Sequence, residues 1–229
     1  MYKDLINKIE NLKCEEKAKI YQRFFKTGKG EYGEGDIFYG IVVPKLRKIS
    51  KKYQKLDLVD VEKLLGSKIH EQRMIGLFIL SLKFKENPDE IYKCYMNNLK
   101  GINNWDLVDV SAPNIPGVYL LDKDKKVLYE LVKSKNLWEK RVAMLSCFAF
   151  IRNNKFNDAL KIAEILLHDE HDLMHKAVGW MLREIGKRDL KVEEDFLKKY
   201  YKKMPRTMLR YAIEKFDEKK RQRYLKGEI

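Results

Sequence analysis

Trp105 and Asp109 lie four residues apart in the stretch Asn103-Asn104-Trp105-Asp106-Leu107-Val108-Asp109. Two asparagines are good helix N-caps, and Asp106 suits a first helical turn. A helix that begins there puts Trp105 and Asp109 on one face, a large aromatic surface one turn from a carboxylate. Taken alone, such a pair reads as a buried aromatic beside an exposed acid, because both are common. Three similar segments change that reading. They are Ile69-His70-Glu71-Gln72-Arg73-Met74-Ile75-Gly76, Leu137-Trp138-Glu139-Lys140-Arg141-Val142-Ala143-Met144 and Leu173-Met174-His175-Lys176-Ala177-Val178-Gly179-Trp180. In register, with Trp105 opening the fourth, their fifth position reads Arg73, Asp109, Arg141, Ala177, at steps of 36, 32 and 36 residues. One acid stands in a basic column of a chain with net charge +14. An acid on such a face opposes phosphate binding unless it meets something positive. Asp109 with Trp105 therefore points to a cationic or cation-developing ligand.

The other members of the column extend the candidate site. Arg141 offers a guanidinium fork to a nucleic-acid phosphate, or a salt bridge to Asp109 itself. Arg73 is a second candidate of the same kind. Arg47 lies on a basic stretch with Lys45, Lys48, Lys51 and Lys52, which ordinary solvation also explains. Trp180 falls one turn beyond Ala177. It suits stacking on a sugar or base, or packing between repeats. Small Ala177 and Gly179 leave room beside it, and Arg183 points to the same side. Trp138 falls off the column and reads as packing, and Cys147 sits in an apolar run and reads as core. His168, His171 and His175 form HxxHxxxH, but no HExxH is present. Asp172 as an N-cap is the simpler account, so no metal is expected. The glycine-rich stretch 28–35 lacks the GxxxxGK[ST] pattern of a phosphate loop. It reads as a connector whose backbone approaches a nucleic-acid phosphate.

A near-constant step of this size is the mark of stacked helical pairs. Residues 2–26 read as two helices broken near Lys13-Cys14. Pro44 suits the first turn of the next, basic helix. Leu58 to Leu65 follows, with Asp57 as its N-cap, then 69–85 and 89–99. The helix of Asp109 is short, since Pro113 and Pro116 end or kink it. Residues 118–121 and 126–132 complete that pair. Helices at 137–152, 156–167, 171–186 and 190–202 follow, and Pro205 starts the last pair. No sustained two-residue alternation signals a sheet. The expected fold is all-α: a right-handed-type α-solenoid of about six HEAT-like antiparallel helix pairs, one domain over 1–229, with a concave basic groove.

Composition agrees. The chain is 45% hydrophobic and 36% charged, as suits helices that each keep a solvated face. Lys and Arg number 48 against 34 acids, which implies a polyanionic partner, nucleic acid before an anionic membrane surface. Cys14, Cys94 and Cys147 are well separated and suggest a reducing compartment. Without a signal-like or membrane-spanning apolar run, a cytoplasmic monomer is expected, nucleoid-associated when bound to DNA.

Together, Trp105 to Asp109, Trp138-Glu139-Lys140-Arg141 and Ala177-Val178-Gly179-Trp180-Met181-Leu182-Arg183-Glu184 resemble the DNA alkylation repair glycosylases of the HEAT-like repeat type (AlkD-like). Gly40-Ile41-Val42-Val43-Pro44-Lys45-Leu46-Arg47 and Arg206-Thr207-Met208-Leu209-Arg210-Tyr211-Ala212-Ile213 fit the same pattern, in the same order, over nearly the whole chain. The glycine-rich loop is longer than in the best-known members. The resemblance implies a solenoid that wraps duplex DNA and excises N3- or N7-alkylated purines such as 3-methyladenine and 7-methylguanine. It implies Asp109 as catalytic acid, Trp105 and Trp180 as aromatic walls and Arg141 as phosphate anchor. The chemistry agrees: the alkylated base is already cationic and leaves neutral, while positive charge moves to the deoxyribose beside a carboxylate. No lysine nucleophile, metal or cofactor is required, so a monofunctional enzyme is expected. The competing readings are a non-catalytic DNA-binding solenoid and a helical scaffold for acidic peptides.

Overall fold

A computed structural model describes residues 1–229. The chain is all-helical and packs as two compact units, Met1–Tyr119 and Leu120–Ile229. In the first unit the helices are α1 (Tyr2–Glu10), α2 (Glu15–Phe24), α3 (Val43–Lys52), α4 (Leu58–Leu65), α5 (His70–Lys83), α6 (Pro88–Asn97), α7 (Trp105–Ser111) and α8 (Pro116–Tyr119). In the second they are α9 (Lys126–Leu131), α10 (Leu137–Arg152), α11 (Asn157–Ile165), α12 (Asp172–Gly186), α13 (Leu190–Tyr200), α14 (Arg206–Ala212) and α15 (Glu218–Lys226). Short 3-10 turns follow α6, α11 and α14. No helix is long and apolar enough to cross a membrane.

The local signals explain the boundaries. Pro44, Pro88 and Pro116 each sit in a first turn, where the missing N–H leaves no bond unmade. The side chains of Asn104, Asn136, Asp189 and Asp217 cap α7, α10, α13 and α15. Asp57 sits at the N-cap of α4 but accepts no capping bond through its side chain.

Each unit is built on one central helix. In the first it is α5, buried at every residue from His70 to Leu80 and packed against α3, α4, α6 and α7. A helix with apolar residues on every side has no solvated face to offer, so neighbours must surround it. In the second unit α12 takes this place, against α10, α11, α13 and α14. Its small residues do not open space beside Trp180, as their size alone suggested. Ala177 is fully buried, and a Cβ on Gly179 would lie 2.4 Å from the Met208 carbonyl oxygen. That room is filled by α14.

The only extended pairing is an isolated parallel bridge between Ile37 and Ile69. The His70 amide donates to the Ile37 carbonyl at 2.9 Å. The buried Glu71 carboxylate accepts from the amides of Tyr39, Gly40 and Ile41 at 3.0, 2.8 and 3.2 Å. The first turn of α5 thus clamps the chain that leaves the glycine-rich loop. Gly40 itself has φ +78°, and a Cβ there would meet the Cys14 carbonyl oxygen at 2.3 Å.

Candidate active site

The glycine-rich loop folds onto itself. The Gly28 amide donates to Glu31 and the Gly30 amide to Glu34, both at 2.8 Å. The Gly33 amide donates to the Lys26 carbonyl at 2.9 Å. Those donors are answered inside the loop, two of them by carboxylates. The Gly28, Gly30 and Gly33 amides are therefore already engaged within this stretch of chain. The loop leads into Asp36, which is 5% exposed.

Asp36 begins a chain of buried charges. One carboxylate oxygen accepts from Arg73 Nη2 at 2.7 Å and Asn103 Nδ2 at 3.0 Å. The other lies 3.1 Å from His70 Nδ1, and His70 Nε2 lies 2.9 Å from Asp106 Oδ2. Burial pushes the His70 pKa down, but the Asp106 and Asp36 carboxylates outweigh it and hold the pKa above its ordinary value. Burial likewise pushes Asp36 up, while His70, Arg73 and Asn103 hold it below the ordinary carboxylate value. An imidazolium donates from both nitrogens, which suits a place between two carboxylates. Two acids, one imidazolium and one guanidinium then balance.

This cluster corrects the reading of Arg73 as a candidate phosphate ligand. The side chain is 3% exposed, with Nη1 on the Ser67 carbonyl at 2.8 Å and Nη2 on Asp36. It braces the start of α5.

Asn103 and Asp106 flank Trp105, so the cluster holds the entry to α7 from both sides. Asn104 is fully buried and accepts from the Trp105 amide at 2.9 Å. The half-buried Trp105 ring stacks on Phe25, with centroids 5.2 Å apart and planes at 19°. Phe25 stacks on Phe38 at 4.9 Å, and Phe38 on His70 at 4.3 Å. One aromatic column thus runs from Trp105 to the buried charges. Asp109, also half-buried, comes one helical turn after Trp105, as the spacing predicts.

In the second unit, Trp180 is half-buried. Its Nε1 donates to Glu184 at 3.3 Å, and its ring leans on Phe148 at 5.7 Å. Arg183 pairs with Glu214 and lies 3.8 Å from Glu184. Arg141 is 4% exposed and donates from Nη1 to the Leu173 carbonyl at 2.7 Å. Trp138 and Cys147 are core, as their sequence settings suggested. His171, rather than Asp172, caps α12: its Nδ1 accepts from the Leu173 amide at 3.1 Å. His175 Nε2 meets the Asp169 carbonyl oxygen. In the first unit Arg47 is exposed, its guanidinium 4.2 Å from the centre of the Phe78 ring.

Sequence reasoning missed Asp36, His70, Phe25 and Phe38, and it read Asp106 only as a first-turn acid. The available signal was polar residues at the margins of apolar runs. Their pairing spans 34 to 67 residues and follows no local period.

The family model for DNA alkylation repair enzymes matches residues 5–216. Among solved structures, one described as a predicted DNA alkylation repair enzyme from Enterococcus faecalis is similar at TM-score 0.71 and 16% identity. The match covers 90% of this chain and 97% of that one, and at such identity it speaks for the fold. No curated protein matches the chain. The family pattern runs unbroken from Leu5 through α7 to Phe216, across both units, and the chain belongs to the family of DNA alkylation repair enzymes.

Proposed function

We propose that this protein is a monofunctional DNA glycosylase that hydrolyses the N-glycosidic bond of cationic N3- and N7-alkylated purines, including 3-methyladenine and 7-methylguanine, in duplex DNA. The observation that carries this reading is the half-buried pair Trp105 and Asp109, one turn apart on α7, with the indole backed by Phe25. The family and the net charge of +14 support DNA as the partner.

In the proposed reaction the bond from C1′ to the purine nitrogen breaks, and its electron pair leaves with the base. The base, positively charged before, departs neutral. The sugar becomes an oxocarbenium-like cation, to which water adds with loss of a proton. The Asp109 carboxylate stabilises that cation or orients the water. At ~4 Å and an effective dielectric near 20, one charge pair gives about 4 kcal/mol before desolvation is subtracted. Realised only in the transition state, that is roughly a thousandfold in rate. The Trp105 face adds a cation–π attraction of about 0.5–2 kcal/mol. Undamaged purines start neutral and gain much less. Trp180 is proposed to pack on sugar or base, and Arg47, Arg141 and Arg183 to contact phosphates.

The test is release of 7-methylguanine and 3-methyladenine from methylated duplex DNA. Wild type should release both. Asp109→Asn should lose roughly a thousandfold in rate and keep its DNA affinity. Near-normal turnover by the variant would remove Asp109 from the mechanism. No release by either protein, with salt-sensitive binding intact, would leave a non-catalytic DNA-binding protein.

A further inference from the structure

In the second unit two polar atoms are buried without a hydrogen-bond partner on helices that pack together: Nε of Arg183 on α12 and Oε1 of Glu193 on α13. Buried groups left in that state call for a reason. Glu193 stands in the first turn of α13 and is 2% exposed. Its other oxygen packs against Gly186 at the end of α12, so closely that a Cβ there would lie 1.6 Å from it.

The surroundings of Glu193 oppose a negative charge. Glu194, the next residue, is a carboxylate already paired with Lys220 of α15. From α15 the buried Tyr224 brings a phenol, which burial, Glu194 and Glu193 push up to about 12. On α12, Lys187 and Arg188 are taken by Glu184. Arg183 is the cation that favours ionisation, and burial and then Glu194 outweigh it, so that Glu193 is pushed up to about 8. At neutral pH the acid is mainly uncharged.

Arg183 is only loosely committed on its outer side. Nη1 pairs with Glu214, whose side chain is 46% exposed, and Nη2 lies 3.8 Å from Glu184. An exposed pair is weak, and a phosphate can take its place. An ionised Glu193 would compete far more strongly. A buried carboxylate needs a counter-charge, and Arg183 Nε is the donor left over.

We propose that Glu193 is a positioning residue for Arg183: as the neutral acid it leaves the guanidinium to a DNA phosphate, and as the carboxylate it draws the guanidinium inward and removes that contact. The proton goes to solvent. The inference rests on the reading of Arg183 as a phosphate contact and adds a pH dependence to it. DNA is held by one more phosphate while Glu193 is neutral than after it ionises.

The experiment is titration of an undamaged duplex with the intact protein over a salt series, at pH 7 and at pH 9. Each phosphate contact contributes about 0.9 to the slope of log affinity against log salt. Wild type should therefore lose about 0.9 of slope between the two pH values. Glu193→Gln keeps the size of the neutral acid and cannot ionise, so its slope at pH 9 should equal its slope at pH 7. Arg183→Ala should lack the contact at both. A side chain that merely packs against Gly186 would change Tm without touching the salt slope. An equal loss in wild type and Glu193→Gln, or no loss in wild type, would overturn the proposal. A wild-type slope in Arg183→Ala at pH 7 would instead sink the reading of Arg183 as a phosphate contact, and the switch with it.

Thermal melting follows the titration itself. The folded-state pKa of Glu193 lies above the ordinary 4.5, so the advantage of the neutral acid is complete below that value and is lost as the pH rises to about 8. The Tm of wild type should fall relative to that of Glu193→Gln between pH 5 and pH 8 and run parallel to it above. A constant difference across that range would mean that Glu193 keeps one charge state, and the proposal would fall.

Discussion

Asp36, His70, Arg73 and the half-buried Asp106 form an expensive network with which to fix a helix start. Replacing a buried ion pair by apolar side chains is often neutral or stabilising, whereas removing one partner leaves an uncompensated charge. Asp36, His70, Arg73 and Asp106 are thus better understood as placing groups than as a source of net stability. They join the end of the glycine-rich loop, the first turn of α5 and the entry to α7. Asp36 is the hinge of the cluster, since Arg73, His70 and Asn103 all meet it. Asp36→Asn should cost about 3–5 kcal/mol at neutral pH, the range for breaking a buried pair. The pH dependence has a definite sign. The folded-state pKa of Asp36 lies below its ordinary value of 3.8, so its contribution is complete well above that value and fades as the pH falls through and below it. Urea unfolding should show a wide gap between wild type and variant at pH 7 that narrows towards pH 3. A gap under about 1 kcal/mol at pH 7, the size of an ordinary surface pair, would mean that the cluster is not a unit.

Much of the helical layout is legible in the sequence. The steps of 36, 32 and 36 residues and the proline positions locate the helices, and Asn104 caps α7 as expected. The span 137–152 coincides with α10, and α12 differs from its expected start by one residue because His171 takes the capping place. Trp105 and Asp109 fall on one short helix as their spacing predicts. What sequence could not decide was the use made of each position. Arg73 and Arg141 share a register, yet the partners of Arg73 are fixed by Asp36, 37 residues away, and Arg141 donates to Leu173, 32 residues on. Small residues were equally ambiguous, because a gap for a ligand and a seat for another helix call for the same side chain. At Gly179 the second use holds: a Cβ would lie 2.4 Å from Met208 O and 2.5 Å from Tyr211 Cβ. Gly179→Ala must therefore push α14 away from α12. Overpacking of this kind costs about 1–3 kcal/mol, which in a chain of this size lowers Tm by several degrees. An unchanged Tm by calorimetry would show that α14 yields without loss, contrary to the tight seat described.

Across the whole molecule the excess of positive charge has a strong local expression. On α3, Leu46, Ile49 and Ser50 are buried, while Lys45, Arg47, Lys48, Lys51 and Lys52 are all exposed. Charge alone attracts a polyanion without holding it in register, so the informative quantity is how many cations sit on phosphates. Each phosphate contact on duplex DNA contributes about 0.9 to the slope of log affinity against log salt. If Arg47 and Arg141 both reach phosphates as proposed, Arg47→Ala and Arg141→Ala should each flatten that slope by about 0.9 and weaken binding across unrelated sequences. Their effects on stability should differ. Arg47 is exposed and gives up its place over Phe78, worth about 0.5–1 kcal/mol, whereas Arg141→Ala also removes a buried donor from the Leu173 carbonyl and should lower Tm further. Binding titrations over a salt series, with Tm measured alongside, separate the two contributions. A lowered Tm with the wild-type slope would make Arg141 a support for α12, as Arg73 is for α5. Wild-type slopes in both variants would leave the attraction to DNA a property of net charge, with neither arginine on a phosphate.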